Sequence, residues 1–254
     1  MRGSHLAIEI ASNAVRFVSM RNETVLSRLD QTISAKTDSE SKEALKAIFE
    51  ANSFLQGDFD EVSLAWCIDK SSLVPNAVFN ESTPLDIFQL CFGKDSRKGE
   101  IDYNRISELS VINVYEVPNW IKSFFVIRFP RVVIQHAGTH IVRKALNENA
   151  FKLKATIVCF ENYFRLTLVK HNALEFYSSF SYQSSEDIIY HLNFALQQKE
   201  FTNEKGAIEL VAAVGSESNL IDSIEKGLLK IGDLKKMAVS KDNDHLAKSQ
   251  ILCV

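Results

Sequence analysis

Hydrophobic positions fall into two kinds of run along this chain. Residues 6–11 and 14–20 are almost continuously apolar or β-branched, and Ser12-Asn13 separates them. Short runs bounded by turn residues predict a hairpin of two strands. Residues 24–33 alternate loosely, with Ser27, Arg28 and Asp30 marking a wetter face. They predict the third strand of an antiparallel meander. After a polar break, apolar residues return at 44, 45, 48, 49, 54 and 55, which is helical spacing. Asp38, Glu40 and Glu43 near its start suit the positive end of a helix dipole. Gly57-Asp58 ends that helix, and 61–68 reads as a buried strand. Val74-Pro75 predicts a strand end or edge, and 84–92 a short helix with Pro84 in its first turn. The most polar window of this half, 93–102, predicts an exposed loop. A strand at 109–117, a helix from Pro118 to about 125, a short strand at 132–135 and a short helix at 138–146 follow. That alternation favours parallel pairing through crossovers.

The order then starts again. Residues 154–160, 164–170 and 174–182 predict a second three-strand meander, with tight turns at Glu161-Asn162 and His171-Asn172. Ser184-Ser185-Glu186-Asp187 opens a helix to about 199, with apolar residues at 188, 189, 192, 195 and 196. A strand at 207–214, a helix at 216–230, a last strand at 234–239 and a polar tail complete the chain. Aligning the two meanders without a gap places Asn13 on Asn162 and Arg16 on Arg165. The repeated strand–strand–strand–helix–strand order predicts an internal duplication.

Composition narrows the function classes. The 254 residues are 46% hydrophobic and 24% charged, ordinary for a globular chain that buries a sizeable core. With 29 basic and 32 acidic residues, the net charge of -3 creates no field that would draw in nucleic acid or an anionic membrane. The sequence therefore predicts neither a nucleic-acid partner nor direct membrane insertion. No stretch approaches the ~20 apolar residues of a spanning helix. Four cysteines, at 67, 91, 159 and 253, include no Cys-x-x-Cys pair. Cys67 and Cys159 lie in apolar runs, which points to free thiols and a cytoplasmic location. Seventeen phenylalanines fit core packing better than base stacking.

The duplicated order resembles the actin-like ATPase fold, ribonuclease H-like in each half, of sugar kinases, heat-shock chaperones and actins. The resemblance implies an α/β protein of two halves, each a mixed sheet that begins in a three-strand antiparallel meander, with helices packed on the sheets. The first half would be 1–137 with a small insertion at about 73–102, and the second, shorter half 138–254. The stretches Ser110–Phe125 and Arg131–Leu146 make the chain most similar to the pilus-assembly and cell-division branch. The chain is also identified as a member of a bacterial family of unknown function (DUF3822).

In active proteins of this fold the first phosphate loop reads Asp-x-Gly-Ser/Thr, then two residues, a small residue and Lys or Arg. Here the stretch is Glu9-Ile10-Ala11-Ser12-Asn13-Ala14-Val15-Arg16. Glu replaces the metal-holding Asp, and Ala replaces the Gly whose bare backbone approaches phosphate. The second loop, Val158-Cys159-Phe160-Glu161, has neither Asp nor Gly, and Phe160 would fill the phosphate space. Of the Gly-Gly pair that contacts adenosine, only Gly215 remains, followed by Ser216. The resemblance thus implies an eroded ATPase that is not an enzyme, with no catalytic residues, no cofactor and no metal. If ATP and Mg²⁺ do bind, as an altered ATPase or switch would require, the contacts fall to Glu9, Ser12, Asn13, Arg16, Gly215 and Ser216. The leading expectation is a non-catalytic adaptor or scaffold with a protein partner, and a homodimer is compatible with it. A sugar- or acyl-kinase ranks lower because the phosphate loops are poor. His136 and His140 stand four apart, but a third ligand is missing, so they read as packing histidines. The run Phe124–Pro130 reads first as core and second as a docking surface.

Overall fold

The computed structural model describes residues 3–35, 37–94, 99–232 and 234–253. Contacts divide the chain into two compact units, Met1–His140 with Ala247–Val254, and Ile141–Leu246.

The first unit is built on β1 (Ser4–Ile10), β2 (Ala14–Arg21) and β3 (Thr24–Thr32), the expected antiparallel meander. α1 (Asp38–Ala51) leads to β4 (Glu61–Trp66), which pairs parallel with β1, and β8 (Val133–His136) pairs parallel with β4. The sheet order is β3-β2-β1-β4-β8. Both faces of β1 and β2 are covered, which is why their sequences run apolar instead of alternating. On one face Leu6, Ile8, Phe17 and Leu64 pack against Leu45 and Phe49 of α1 and against Ile121 and Phe125 of α3 (Asn119–Arg128). Phe17 and Phe49 meet edge to face at 5.2 Å. On the other face Ala7, Val18 and Met20 pack against Ala247 and Ile251.

The 109–117 strand departs from the crossover expectation. It forms β7 (Val111–Val117) and pairs antiparallel with β5 (Ser71–Pro75) and β6 (Glu100–Ile106) in a separate three-stranded sheet, β5-β7-β6. α2 (Pro84–Phe92) covers it through Phe88, which packs on Ile112 and Val114. The cause is local. A short 3-10 turn over Ser107–Leu109 and a left-handed Ser110 (φ 52°) reverse the chain, so β7 finds β6 beside it first. Glu100 to Asp102, read above as loop, is strand, and residues 95–98 of that window lie outside the described residues. α4 (Ala137–Asn147) follows β8.

The second unit repeats the plan. β9 (Leu153–Cys159), β10 (Tyr163–Lys170) and β11 (Ala173–Ser181) form the meander, β12 (Gly206–Ala212) pairs parallel with β9, and β13 (Ala238–Lys241) with β12. The order β11-β10-β9-β12-β13 mirrors the first sheet. Each β2–β3-type pair carries one register shift, between Ser19 and Met20 and between Leu168 and Val169, which are equivalent positions. α5 (Ser185–Gln198) begins with a capping box. The Ser184 hydroxyl accepts from the Asp187 N–H, and the Asp187 carboxylate accepts from the Ser184 N–H. Ile188, Leu192 and Leu196 turn to the sheet and α6 (Leu220–Leu228).

Two terminal expectations shift. The last strand begins at Ala238, because 234–236 winds into a 3-10 turn. The supposed polar tail contains α7 (His245–Gln250), with Leu246, Ala247 and Ile251 buried at helical spacing. Among the described residues no helix is long and apolar enough to cross a membrane.

Candidate functional site

The β1–β2 turn is built from its backbone first. The Ala11 N–H donates to the Ala14 carbonyl at 2.9 Å, Ile33 N–H to Asn13 O at 2.6 Å, and Cys67 N–H to Ile10 O at 2.8 Å. In the second unit Phe160 N–H donates to Tyr163 O at 2.9 Å, Tyr182 N–H to Asn162 O at 3.2 Å, and Ala213 N–H to Cys159 O at 2.9 Å. The three bonds join equivalent positions, so the duplication reaches single hydrogen bonds. Ser12 is exposed at the tip, and Asn13 is half-buried.

Glu9 and Arg16 face each other across β1 and β2. The Arg16 Nη1 lies 3.3 Å from Glu9 Oε2, and its Nε donates to Asp30 Oδ1 on β3 at 2.5 Å. Glu9 and Arg16 are buried. Burial opposes the Arg16 charge, yet the two carboxylates outweigh it and hold the guanidinium above its ordinary range. Burial likewise opposes the Asp30 charge, and Arg16 with Arg28 overcomes it, so Asp30 lies below the usual carboxylate range. A charged network therefore spans the three strands of the meander.

At the equivalent place Arg165 faces Val158 and Ser179 instead of acids. It is buried and donates to the Tyr177 hydroxyl at 2.5 Å. Phe160 fills the second turn, stacked on Tyr163 at 4.5 Å, while the Tyr182 hydroxyl donates to Phe160 O at 2.5 Å. Gly215 takes φ 81°, a left-handed conformation that favours glycine. Ser216 does not cap the following helix. Its hydroxyl donates back to Ala213 O at 2.8 Å, and α6 starts only at Leu220. So Glu9, Ser12, Asn13 and Arg16 come together in the first unit, while Gly215 and Ser216 form a separate turn in the second.

Sequence reasoning missed a cavity beside the first turn. It measures about 350 Å³ and opens at the C-terminal ends of β1 and β4. Ser12, Asp38, Trp66, Ile68, Glu116 and Trp120 are among its walls. The Trp66 indole N–H donates to the Glu116 carbonyl at 2.8 Å, and the Glu116 carboxylate accepts from the Gly99 N–H. No sequence signal joins these residues, which come from β4, β7 and the starts of α1 and α3. A larger hollow of about 860 Å³ lies under α1 and α3, lined by Glu50, Asp58, Arg128 and Arg131. Of the run Phe124–Pro130, Phe125 is core while Ile127 is 83% exposed.

His136 and His140 are both buried. The His136 Nδ1 accepts from the Gly138 N–H at 3.0 Å, with Asn113 Nδ2 at 3.1 Å, and its Nε2 lies 3.0 Å from Ile68 O. This is the neutral tautomer protonated at Nε2, with both nitrogens engaged in packing. Elsewhere Glu148, Glu209 and His245 gather one ligand atom each within 4.8 Å. The Lys154 ammonium already stands between the two carboxylates, 2.9 Å from Glu209 and in contact with Glu148. Burial opposes the Glu209 charge, but His245 and Lys154 outweigh it and bring its carboxyl down to about 2.

The profile of the family described as "Protein of unknown function (DUF3822)" matches residues 2–228. The chain belongs to this family. None of the curated proteins is a detectable relative in sequence. Solved structures confirm the fold of this DUF3822 chain. A Bacteroides thetaiotaomicron protein with actin-like ATPase fold and unknown function superposes with a TM-score of 0.77 at 16% identity, over 99% of this chain and 96% of that one. The PilM-PilN type IV pilus biogenesis complex gives 0.51 at 10% identity, over 97% and 94%. The cytoplasmic domain of EpsL, an inner-membrane component of the Vibrio cholerae type II secretion system, gives 0.50 at 6%, over 98% and 95%. The DUF3822 chain thus has the actin-like ATPase fold, with the two mixed sheets that its duplicated sequence implied.

Proposed function

We propose that this protein is a non-catalytic adaptor or scaffold of the cytoplasm, which uses an eroded actin-like fold to bind a partner protein. The observation that carries this reading is the pairing of Glu9 with Arg16. A carboxylate that is buried and held by a guanidinium at 3.3 Å does not fit a magnesium ion and its waters. The Ala11 N–H, which would have to turn to a phosphate, closes the hairpin on Ala14. In the second unit Phe160 stands where a phosphate loop leaves open backbone. The residues present therefore do not fit the phosphates of ATP. Support for a protein partner comes from likeness of fold: PilM is seen in complex with PilN, and EpsL is part of a secretion system.

Thermal unfolding with and without ATP and Mg²⁺ tests the proposal. A ligand at 100 times its Kd adds about 2.7 kcal/mol, a rise of several degrees for a chain of this size. We expect an unchanged Tm. A clear rise would overturn the non-catalytic reading and favour an ATP/Mg-binding switch with an altered phosphate site. The partner itself would be captured by tagging the chain in native cells, where a stoichiometric companion, or a second copy of the chain, is expected.

A further inference from the structure

We infer that a second copy of this chain pairs with β11, antiparallel and about a two-fold axis at Ser178. The state of the edge comes first. Tyr163 faces Ser181, and one step beyond them the Tyr182 N–H donates to the Asn162 carbonyl. Hydrogen-bonded positions alternate along an antiparallel ladder. Phe176, Ser178 and Phe180 therefore bond to β10, while the N–H and C=O groups of Tyr177, Ser179 and Ser181 point away from it. β11 ends its sheet, so among the described residues no strand takes these groups up. The other sheet edges carry features that discourage pairing. Arg28 and Asp30 stand on β3, Pro75 on β5, and Glu100, Asp102 and Arg105 on β6. β8 and β13 are only 4 residues long. β11 has 9 residues and a single charge, Glu175, which pairs with Lys199 at 3.4 Å. Glu175 also sits at the register shift, and from Phe176 to Ser181 the strand is regular, with no charge and no proline.

The sequence of that stretch names the occupant. Phe176-Tyr177-Ser178-Ser179-Phe180 reads almost the same in both directions. Antiparallel pairing centred on Ser178 sets each Phe176 opposite the second copy's Phe180, each Tyr177 opposite a Ser179, and Ser178 opposite itself. Tyr177 and Ser179 are the residues with outward backbone groups, so they exchange the hydrogen bonds of the new ladder. Cross-strand aromatic pairs stabilise a sheet and opposed like charges weaken it. This register has two aromatic pairs and opposes no like charges, since Glu175 meets Ser181. The interface is isologous and closes as a dimer. Its flank is aromatic too. On the face that carries α5, Phe176 and Phe180 stack at 6.3 Å, and His191 stacks on Phe180 at 4.2 Å. Beside His191, Tyr190 and Phe194 remain 63% and 46% exposed. The inference goes beyond the adaptor reading and does not depend on it, because it uses the free edge alone.

The test is sedimentation of the full chain over a concentration series, with two kinds of variant. We expect a concentration-dependent dimer. Ser179→Pro removes an outward N–H and no bond to β10, and should raise the dimer Kd at least about tenfold. Circular dichroism verifies that this variant folds. The register is read by cysteine cross-linking, in a background carrying Cys91→Ser and Cys253→Ser. Ser178 meets its own copy at a non-hydrogen-bonded pair, where Cα atoms approach to about 4.5 Å, within the span of a disulfide. Mild oxidation should therefore link Ser178→Cys into a covalent dimer. Ser181→Cys, about 20 Å from its own copy in this register, should stay unlinked. The inference is overturned if the chain is monomeric throughout, if Ser179→Pro dimerises like the wild type, or if Ser178→Cys links no better than Ser181→Cys. A monomer that loses a native companion protein on Ser179→Pro also overturns it, and gives the edge to a partner's strand instead.

Discussion

Arg16 supports the first turn, because its guanidinium stands 3.3 Å from a Glu9 carboxylate that is buried from solvent. Substituting Arg16→Met removes the guanidinium from the buried Glu9 and should cost about 3–5 kcal/mol in urea unfolding. Adding Glu9→Val recreates the chemistry opposite Arg165, where Val158 stands, and should restore most of that loss. A pH series reads a second buried carboxylate. Glu209 has its carboxyl down at about 2, against an ordinary 4.5. A folded-state value below the unfolded one stabilises at pH above 4.5, and the contribution drains away as pH falls towards 2. At about 1.4 kcal/mol per unit the full effect is on the order of 3 kcal/mol. The urea midpoint of the wild type should therefore fall more steeply between pH 5 and 2 than that of Glu209→Gln.

At the scale of elements, local signals account for most of the fold. The capping box of α5 was legible as Ser184 with Asp187, and Ser184→Ala should cost about 1 kcal/mol, measured by denaturant unfolding. Helix α1 and the two meanders followed from periodicity alone. The departures lie at β7 and α7. β7 reads as well for a parallel crossover as for a hairpin, and only the turn at Ser107–Ser110 decides between them. α7 was hidden because its apolar residues, Leu246 and Ala247, are few and followed by Lys248, Ser249 and Gln250. Gly206 marks another tertiary demand. A Cβ there would collide with the Leu153 carbonyl on β9, so Gly206→Ala should pry β12 from β9 and cost at least 1–3 kcal/mol.

At the scale of the molecule, the chain is a fold copied once and then specialised by side chains. The copied parts are sheet order, register shift and turn hydrogen bonds. The divergent parts are the two arginines, one set among acids and the other against a phenol. The C-terminal segment returns to the first unit, where Gln250 Oε1 accepts from the Ser63 hydroxyl at 2.7 Å, and Ser63 Oγ lies 2.8 Å from His5 Nε2. Removing 245–254 would strip Ala247 and Ile251 from Ala7, Val18 and Met20. Hydrogen exchange should then show lost protection in β1 and β2 and a lower Tm, whereas an unchanged pattern would make the segment dispensable.

The amino-acid sequence alone determined the strand meanders, the helices between them and the duplication, because each depends on periodicity and turn residues within a few positions. It also showed where Glu9, Ala11 and Phe160 depart from the phosphate-loop pattern of the fold it resembles. Tertiary structure alone decided that Glu9 is held by Arg16, and that Asp38, Trp66, Glu116 and Trp120 line one cavity. It likewise decided that Glu148, Lys154, Glu209 and His245 form one charged cluster. Such groupings join residues far apart in the chain. Their energies depend on burial and on distances of a few ångströms, which no local pattern encodes.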